Sequence, residues 1–125
     1  MLVEACAKFA EAIKHKPDKH ESWYNWGVAL ADRACLVEGD ARAALLVEAC
    51  AKFAGAIQHK PDEHEAWYAW GAALGECACL AEERDDTGSA CRLFHQALEK
   101  FKRAGAADLI KSTEHCLAAL GCTDA

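Results

Sequence analysis

LVEACAKFAEAIKHKPDKHESWYNWGVAL, residues 2–30, returns at residues 46–74 as LVEACAKFAGAIQHKPDEHEAWYAWGAAL, and the likeness runs on to Ala34 and Ala78 at a constant offset of 44. Self-similarity at a period of a few tens of residues marks a repeat architecture, in which each unit buries its apolar face by stacking on a neighbour. Function then belongs on a shared surface. Working outward, the 125 residues are 53% hydrophobic, much of it alanine, and the two prolines both fall in HKPD. Alanine favours helix, and proline confined to the joints favours helices of similar length. No strand-like alternation interrupts them, so the chain reads as all-α.

Pro17 and Pro61 each push the preceding residue out of the α region, and Asp18 and Asp62 follow as N-caps, giving helix, tight turn, helix. Glu21, Glu63 and Glu65 fall in first turns and Lys14, His15 and Lys16 in a last turn, the signs the helix dipole favours. Gly39 and Asp40 predict a stop and a cap between a helix from about Lys19 to Glu38 and another from Ala41 to about His59. The stretch EERDDTGSA, residues 82–90, reads as a loop with Thr87 or Ser89 as cap. Beyond it a diverged third copy spaces Ala90, Phe94 and Ala97 like Ala49, Phe53 and Ala56, and RAGAAD replaces the proline turn. A last helix runs from about Ala107 to Leu120. The expectation is one domain of about six helices, an α-solenoid of antiparallel hairpins with units at about 2–39, 40–86 and 87–121.

The motif Ala-x3-Phe-x2-Ala, then proline, then Trp-x2-Trp-Gly is spelled by Ala5, Phe9, Ala12, Pro17, Trp23, Trp26 and Gly27. Ala49, Phe53, Ala56, Pro61, Trp67, Trp70 and Gly71 spell it again. This resembles the tetratricopeptide repeat family over roughly residues 2–102. Tryptophan at 23 and 67 would wedge between two helices, and glycine four residues on would let a facing helix close in. The period of 44 exceeds the family's ~34. Five extra residues in each arm would add about 7 to 8 Å of helix. Trp26 and Trp70 stand where leucine is usual, which should widen the contact.

The resemblance implies a protein-docking module whose concave face is lined by the tryptophan helices. Carried over, that peptide-binding face is Glu21, Tyr24, Asn25, Val28, Asp32, Glu65, Tyr68, Ala69, Ala72 and Glu76. Differences between the copies cluster there, as specialising a surface would produce and as drift at exposed positions would produce equally. Tyr24 and Tyr68 occupy the positions of the lysine with which some family members clamp a C-terminal carboxylate. A segment bearing Lys or Arg, stacked on the tyrosines and paired with the glutamates, fits better. A second reading is homo-oligomerisation as a scaffold, since Leu2, Cys6, Phe9 and Ile13 form an apolar stripe on an end helix that something must cover.

The net charge of −6, with no basic block, excludes an electrostatic grip on nucleic acid or anionic lipid. No run reaches the ~20 apolar residues of a membrane span, and the first residues lack the apolar core of a signal peptide. Eight cysteines in a helical chain without an export signal suit reduced thiols, so the reading is cytoplasmic, with Cys6 and Cys50 as small core residues. His15, His20, His59 and His64 flank the turns at no ligand spacing, and Cys77 and Cys79 point about 200° apart on a helix, so no metal or cofactor is expected. No glycine-rich phosphate loop, nucleophile elbow or His-Glu-x-x-His run marks an enzyme. An opening in mid-repeat suits a whole protein or a piece of a longer array.

Overall fold

In a computed structural model of the protein, the described residues are Lys8, Glu11 and 20–122. Five helices follow one another among them: α1 (His20–Ala34), α2 (Gly39–His59), α3 (His64–Glu83), α4 (Thr87–Ala104) and α5 (Ala107–Ala119). The expected first helix, with Ala5, Ala12, Phe9, Pro17 and the Leu2 to Ile13 stripe, lies outside the described residues apart from Lys8 and Glu11, both helical. Consecutive helices pack on one another, most extensively α1 on α2 and α3 on α4. The fold is all-α and tetratricopeptide-like.

Helix lengths depart from even elongation. α1 has 15 residues and stops at Ala34, four short of the expected Glu38, whereas α2 has 21 and α3 has 20. The stop is made in three dimensions. Arg42 of α2 reaches back, its Nε donating to the carbonyls of Ala34 at 3.0 Å and Val37 at 2.9 Å. It thereby satisfies carbonyls that a helix end leaves orphaned. Gly39, φ +62°, opens α2 where a stop was expected, and the residue before it, Glu38, makes no side-chain cap bond. At the other end of the repeat the expected loop shrinks to Arg84–Asp86. Asp85 takes φ +59°, and the capping side chain is Asp86, accepting from the Ser89 backbone N–H at 3.1 Å, in place of Thr87 or Ser89. Those Ser89 bonds hold the Asp86 carboxyl below the usual carboxylate range. Arg84 also bonds Asp40, one repeat away, joining the end of α3 to the start of α2.

The core repeats the motif. Ala49, Phe53 and Ala56 are buried, and a Cβ on Gly27 would strike the Phe53 ring. A Cβ on Gly71 would lie 2.7 Å from Cδ1 and Cε1 of Phe101. Phe101, not Phe94, therefore takes the part of Phe53, and the third copy is Ala97, Phe101, Ala104, at an offset of 48 from Ala49, Phe53, Ala56. The expected register was seven residues early. Phe94 is buried instead with Ala78, Ala81, Ala90 and Leu117 under α5. After Ala104, Gly105 at φ +71° turns the chain in the left-handed conformation that an α-helix C-terminus favours.

Trp26 and Trp70 do not simply widen a contact. Each stacks on its neighbour, Trp23 with Trp26 at 6.1 Å and Trp67 with Trp70 at 5.6 Å between centroids. A lysine lies over each pair, Lys52 at 3.8 Å from the Trp26 ring and Lys100 at 4.1 Å from the Trp70 ring. Such a cation over indole contributes about 0.5–2 kcal/mol, depending on desolvation. Leucine has no face to offer a cation. Trp67 Nε1 also donates to the Pro61 carbonyl at 2.7 Å, fastening the turn to the helix it starts.

Candidate functional site

α1 and the start of α3 bring four of the ten expected face residues to one place. Glu21, Tyr24, Asn25 and Glu65 line a cleft of about 270 Å³ together with His20 and Glu63. The Tyr24 ring leans on buried Phe53 with centroids 5.9 Å apart. Burial, and then the carboxylates of Glu65 and Glu63, push the Tyr24 phenol above its ordinary value. The carboxylates thus act on the phenol's surroundings, as a patch of negative potential should. His20 Nε2 stands 3.7 Å from Glu63 and 4.0 Å from Glu21, and Lys60 Nζ stands 3.8 Å from Glu63.

One repeat on, Tyr68 repeats Tyr24, leaning edge-on against Phe101 at 6.2 Å and half exposed. Its cleft, about 410 Å³, is lined by Ala106, Ala107, Asp108 and Leu109. Counted from the helix starts, His64 and Ala107, Ala106 and Asp108 stand where the first cleft has Glu63 and Glu65. The second cleft thus keeps one carboxylate, Asp108, where the first has Glu21, Glu63 and Glu65, and is otherwise lined by Tyr68, alanines and Leu109. Of the other expected face residues, Val28 and Ala69 are half-buried against the core. Ala72 is half-buried, and Asp32 and Glu76 are exposed on α1 and α3 outside both clefts.

His20, Glu63 and the Ala106 to Leu109 turn were missed by the sequence reading, which took only the helix faces. The signal was present in the first-turn positions after each HKPD, because the start of one tryptophan helix sits against the side of the preceding one. Two larger hollows, about 530 and 610 Å³, flank the disulfide between Cys91 and Cys122 on α4 and beyond α5. One carries Arg92 and the other Lys102 beside Glu114, so neither gathers carboxylates as the Tyr24 cleft does. The bond itself corrects the expectation that all cysteines are thiols. Nothing in the spacing of residues 91 and 122 announces it.

Residues 1–120 match the family described as plant-specific mitochondrial import receptor subunit TOM20. The chain belongs to the TOM20 family. No curated protein matches it. The family is one of receptor subunits, a protein-binding and non-enzymatic description that agrees with a docking module. It overturns the expectation of a cytoplasmic protein, since the TOM20 description assigns a mitochondrial import role. Composition could not reveal this, because the absence of an export signal does not distinguish the cytoplasm from an organelle surface. Exclusion of a membrane setting sits poorly with import into an organelle as well. Among the described residues no helix is long and apolar enough to cross a membrane.

Proposed function

We propose that this chain is a non-catalytic receptor module, a single helical repeat domain that captures a basic, amphipathic segment of proteins destined for the mitochondrion. The observation that carries the reading is the gathering of Glu21, Glu63 and Glu65 around the Tyr24 ring. Segments that direct proteins to mitochondria are amphipathic, rich in Arg and poor in acidic residues. An arginine in the first cleft would stack on Tyr24 and replace Lys60 at Glu63, while apolar side chains of the same segment would meet Tyr68, Ala107 and Leu109 in the next. Charge complementarity of this kind supplies encounter rate and discrimination against acidic sequences more than raw affinity.

The test is binding of a fluorescent Arg-rich amphipathic peptide to the chain and to a Tyr68→Ala, Glu65→Lys double variant. Loss of binding with an unchanged helical spectrum is expected; equal binding would remove this face from the account. Self-assembly remains the second reading because of the Leu2 to Ile13 stripe. At the far end, α5 carries Lys111, Ser112, Glu114 and His115 exposed, a polar outer face that suits a terminal cap more than a joint. Light scattering on the reduced chain decides it: mass near 13.5 kDa over a wide concentration range disposes of self-assembly, and a discrete dimer would put it first.

A further inference from the structure

The clefts on the tryptophan helices leave one reactive bond of the molecule without a role. Cys91, in the second turn of α4, and Cys122, just beyond α5, are joined by a disulfide with their Cα atoms 5.6 Å apart. The end of α5 is built to bring them together. Gly121, φ +70°, turns left-handed; its N–H donates to the Ala118 carbonyl at 3.1 Å, and that of Cys122 to the Leu117 carbonyl at 3.0 Å. Many helices close with this pair of bonds and with an apolar contact between the two residues that the outer bond joins. Cys122 accordingly packs with Leu117, and the turn carries it back to α4. The disulfide borders open space on two sides. The hollow of about 530 Å³ is lined by Cys91 and Cys122 with Arg92, His95 and Gln96, and that of about 610 Å³ by Cys122 without Cys91. Both fall within the ~300–1,000 Å³ that holds a small organic ligand. On α4, Cys91 shares a helix face with His95, and Arg92 with Gln96, each pair four residues apart. No described carboxylate lines the first hollow. Arg92 is exposed and donates from Nη2 to Ser89 Oγ at 3.4 Å, with the field of its charge reaching Asp86. The other N–H groups of its planar fork suit a carboxylate.

We propose that the hollow beside Arg92 is an exchange site for a small anionic thiol of the glutathione class, its carboxylate on Arg92 and its sulfur on Cys122. The ligand thiol gives its proton to solvent, and its thiolate attacks Cys122 Sγ. A new S–S bond forms as the Cys91–Cys122 bond breaks, and the electron pair of the broken bond stays on Cys91 Sγ as thiolate. The surroundings set this direction. Cys122 borders both hollows and is approached from either, whereas Cys91 borders one. A sulfur leaves more readily where a cation favours its thiolate, and Arg92 directly follows Cys91. Cys122 follows a helix C-terminus, whose dipole opposes negative charge. A second ligand thiol then attacks the ligand sulfur of the mixed disulfide and releases Cys122 as a thiol. Two ligand thiols are oxidised to one disulfide, and the protein disulfide is reduced to two thiols. The residues of this site are none of those lining the Tyr24 and Tyr68 clefts, so it stands or falls apart from the receptor reading.

The experiment mixes the full chain, its Cys91–Cys122 bond intact, with reduced glutathione at neutral pH, quenches in acid and maps the peptides by mass. One glutathione on Cys122 is expected as the first product. The rate of opening is then compared with that by 2-mercaptoethanol, a neutral thiol with no group for Arg92. In Arg92→Gln the ratio of the glutathione rate to the mercaptoethanol rate should fall about 3- to 5-fold, the scale of one exposed charge pair. The parent's ratio should fall as salt is raised. Taking a ratio removes any general effect of the substitution on the leaving sulfur or on the fold. A first adduct on Cys91, a ratio unchanged in Arg92→Gln or indifferent to salt, or a bond that glutathione does not open would each overturn the assignment.

Discussion

Two glycines of α3, one turn apart, should respond to the same substitution with opposite sign. Gly75 has open space where a Cβ would stand, so Gly75→Ala should gain the helix propensity of alanine, about 0.8–1 kcal/mol. Gly71→Ala gains the same, but its Cβ would sit 2.7 Å from two carbons of the Phe101 ring and 3.2 Å from a third. Phe101 is 5% exposed and enclosed by Leu74 and Ala97, so the ring has nowhere to swing. Overpacking of this kind costs about 1–3 kcal/mol. Taking the upper end, because three atoms are struck, Gly71→Ala should be about 2 kcal/mol less stable than the parent. The two variants should then differ by about 3 kcal/mol, or about 10 °C in melting temperature for a domain of this size. Thermal and urea unfolding followed by circular dichroism would measure it. If Gly71→Ala is as stable as Gly75→Ala, Phe101 does not pack on Gly71, and the third repeat is not registered as described.

Further outcomes follow from single features. Reducing Cys91–Cys122, which closes a loop of separation 31, should lower stability by about 3–4 kcal/mol on chain-entropy grounds, read by melting with and without a reductant. The Tyr24 phenol is held above its ordinary 10.0, so the folded state keeps that proton longer than the unfolded chain. Its contribution is whole below pH about 10 and is lost as pH climbs through the folded value. Ultraviolet titration of phenolate should find one tyrosine titrating late, and Glu65→Gln should bring it earlier. Glu63→Gln with Glu65→Gln should weaken capture of an Arg-rich peptide by about 5- to 10-fold at low salt, and by less as salt rises, measured by fluorescence anisotropy.

The repeat was legible because the core is written twice: Ala49, Phe53, Ala56, Trp67 and Gly71 hold the geometry by size alone, and size can be read from letters. The stop of α1 was not, because it depends on Arg42 reaching back eight residues to Ala34. The third repeat misled for a related reason. Ala90, Phe94 and Ala97 and then Ala97, Phe101 and Ala104 both satisfy the motif in one helix, and only the facing Gly71 chooses between them. Tyr24, Glu21 and Glu65 share the cleft with Glu63 and His20, which helix-face spacing does not select and which enter through the approach of one helix start to its neighbour. The family's mitochondrial description comes from the match of residues 1–120 taken together, which no single residue expresses.

The proposed receptor role requires that a basic segment be held on the acidic, tyrosine-lined face and not elsewhere. The most direct measurement is a titration of the ¹⁵N-labelled chain with an Arg-rich amphipathic peptide, followed by amide chemical shifts at moderate salt. Shifts should concentrate at His20, Glu21, Tyr24, Asn25, Glu63 and Glu65 and extend to Tyr68 and Leu109. Shifts confined to Arg92, His95 and Lys102 beside the disulfide, or none at saturating peptide, would contradict it.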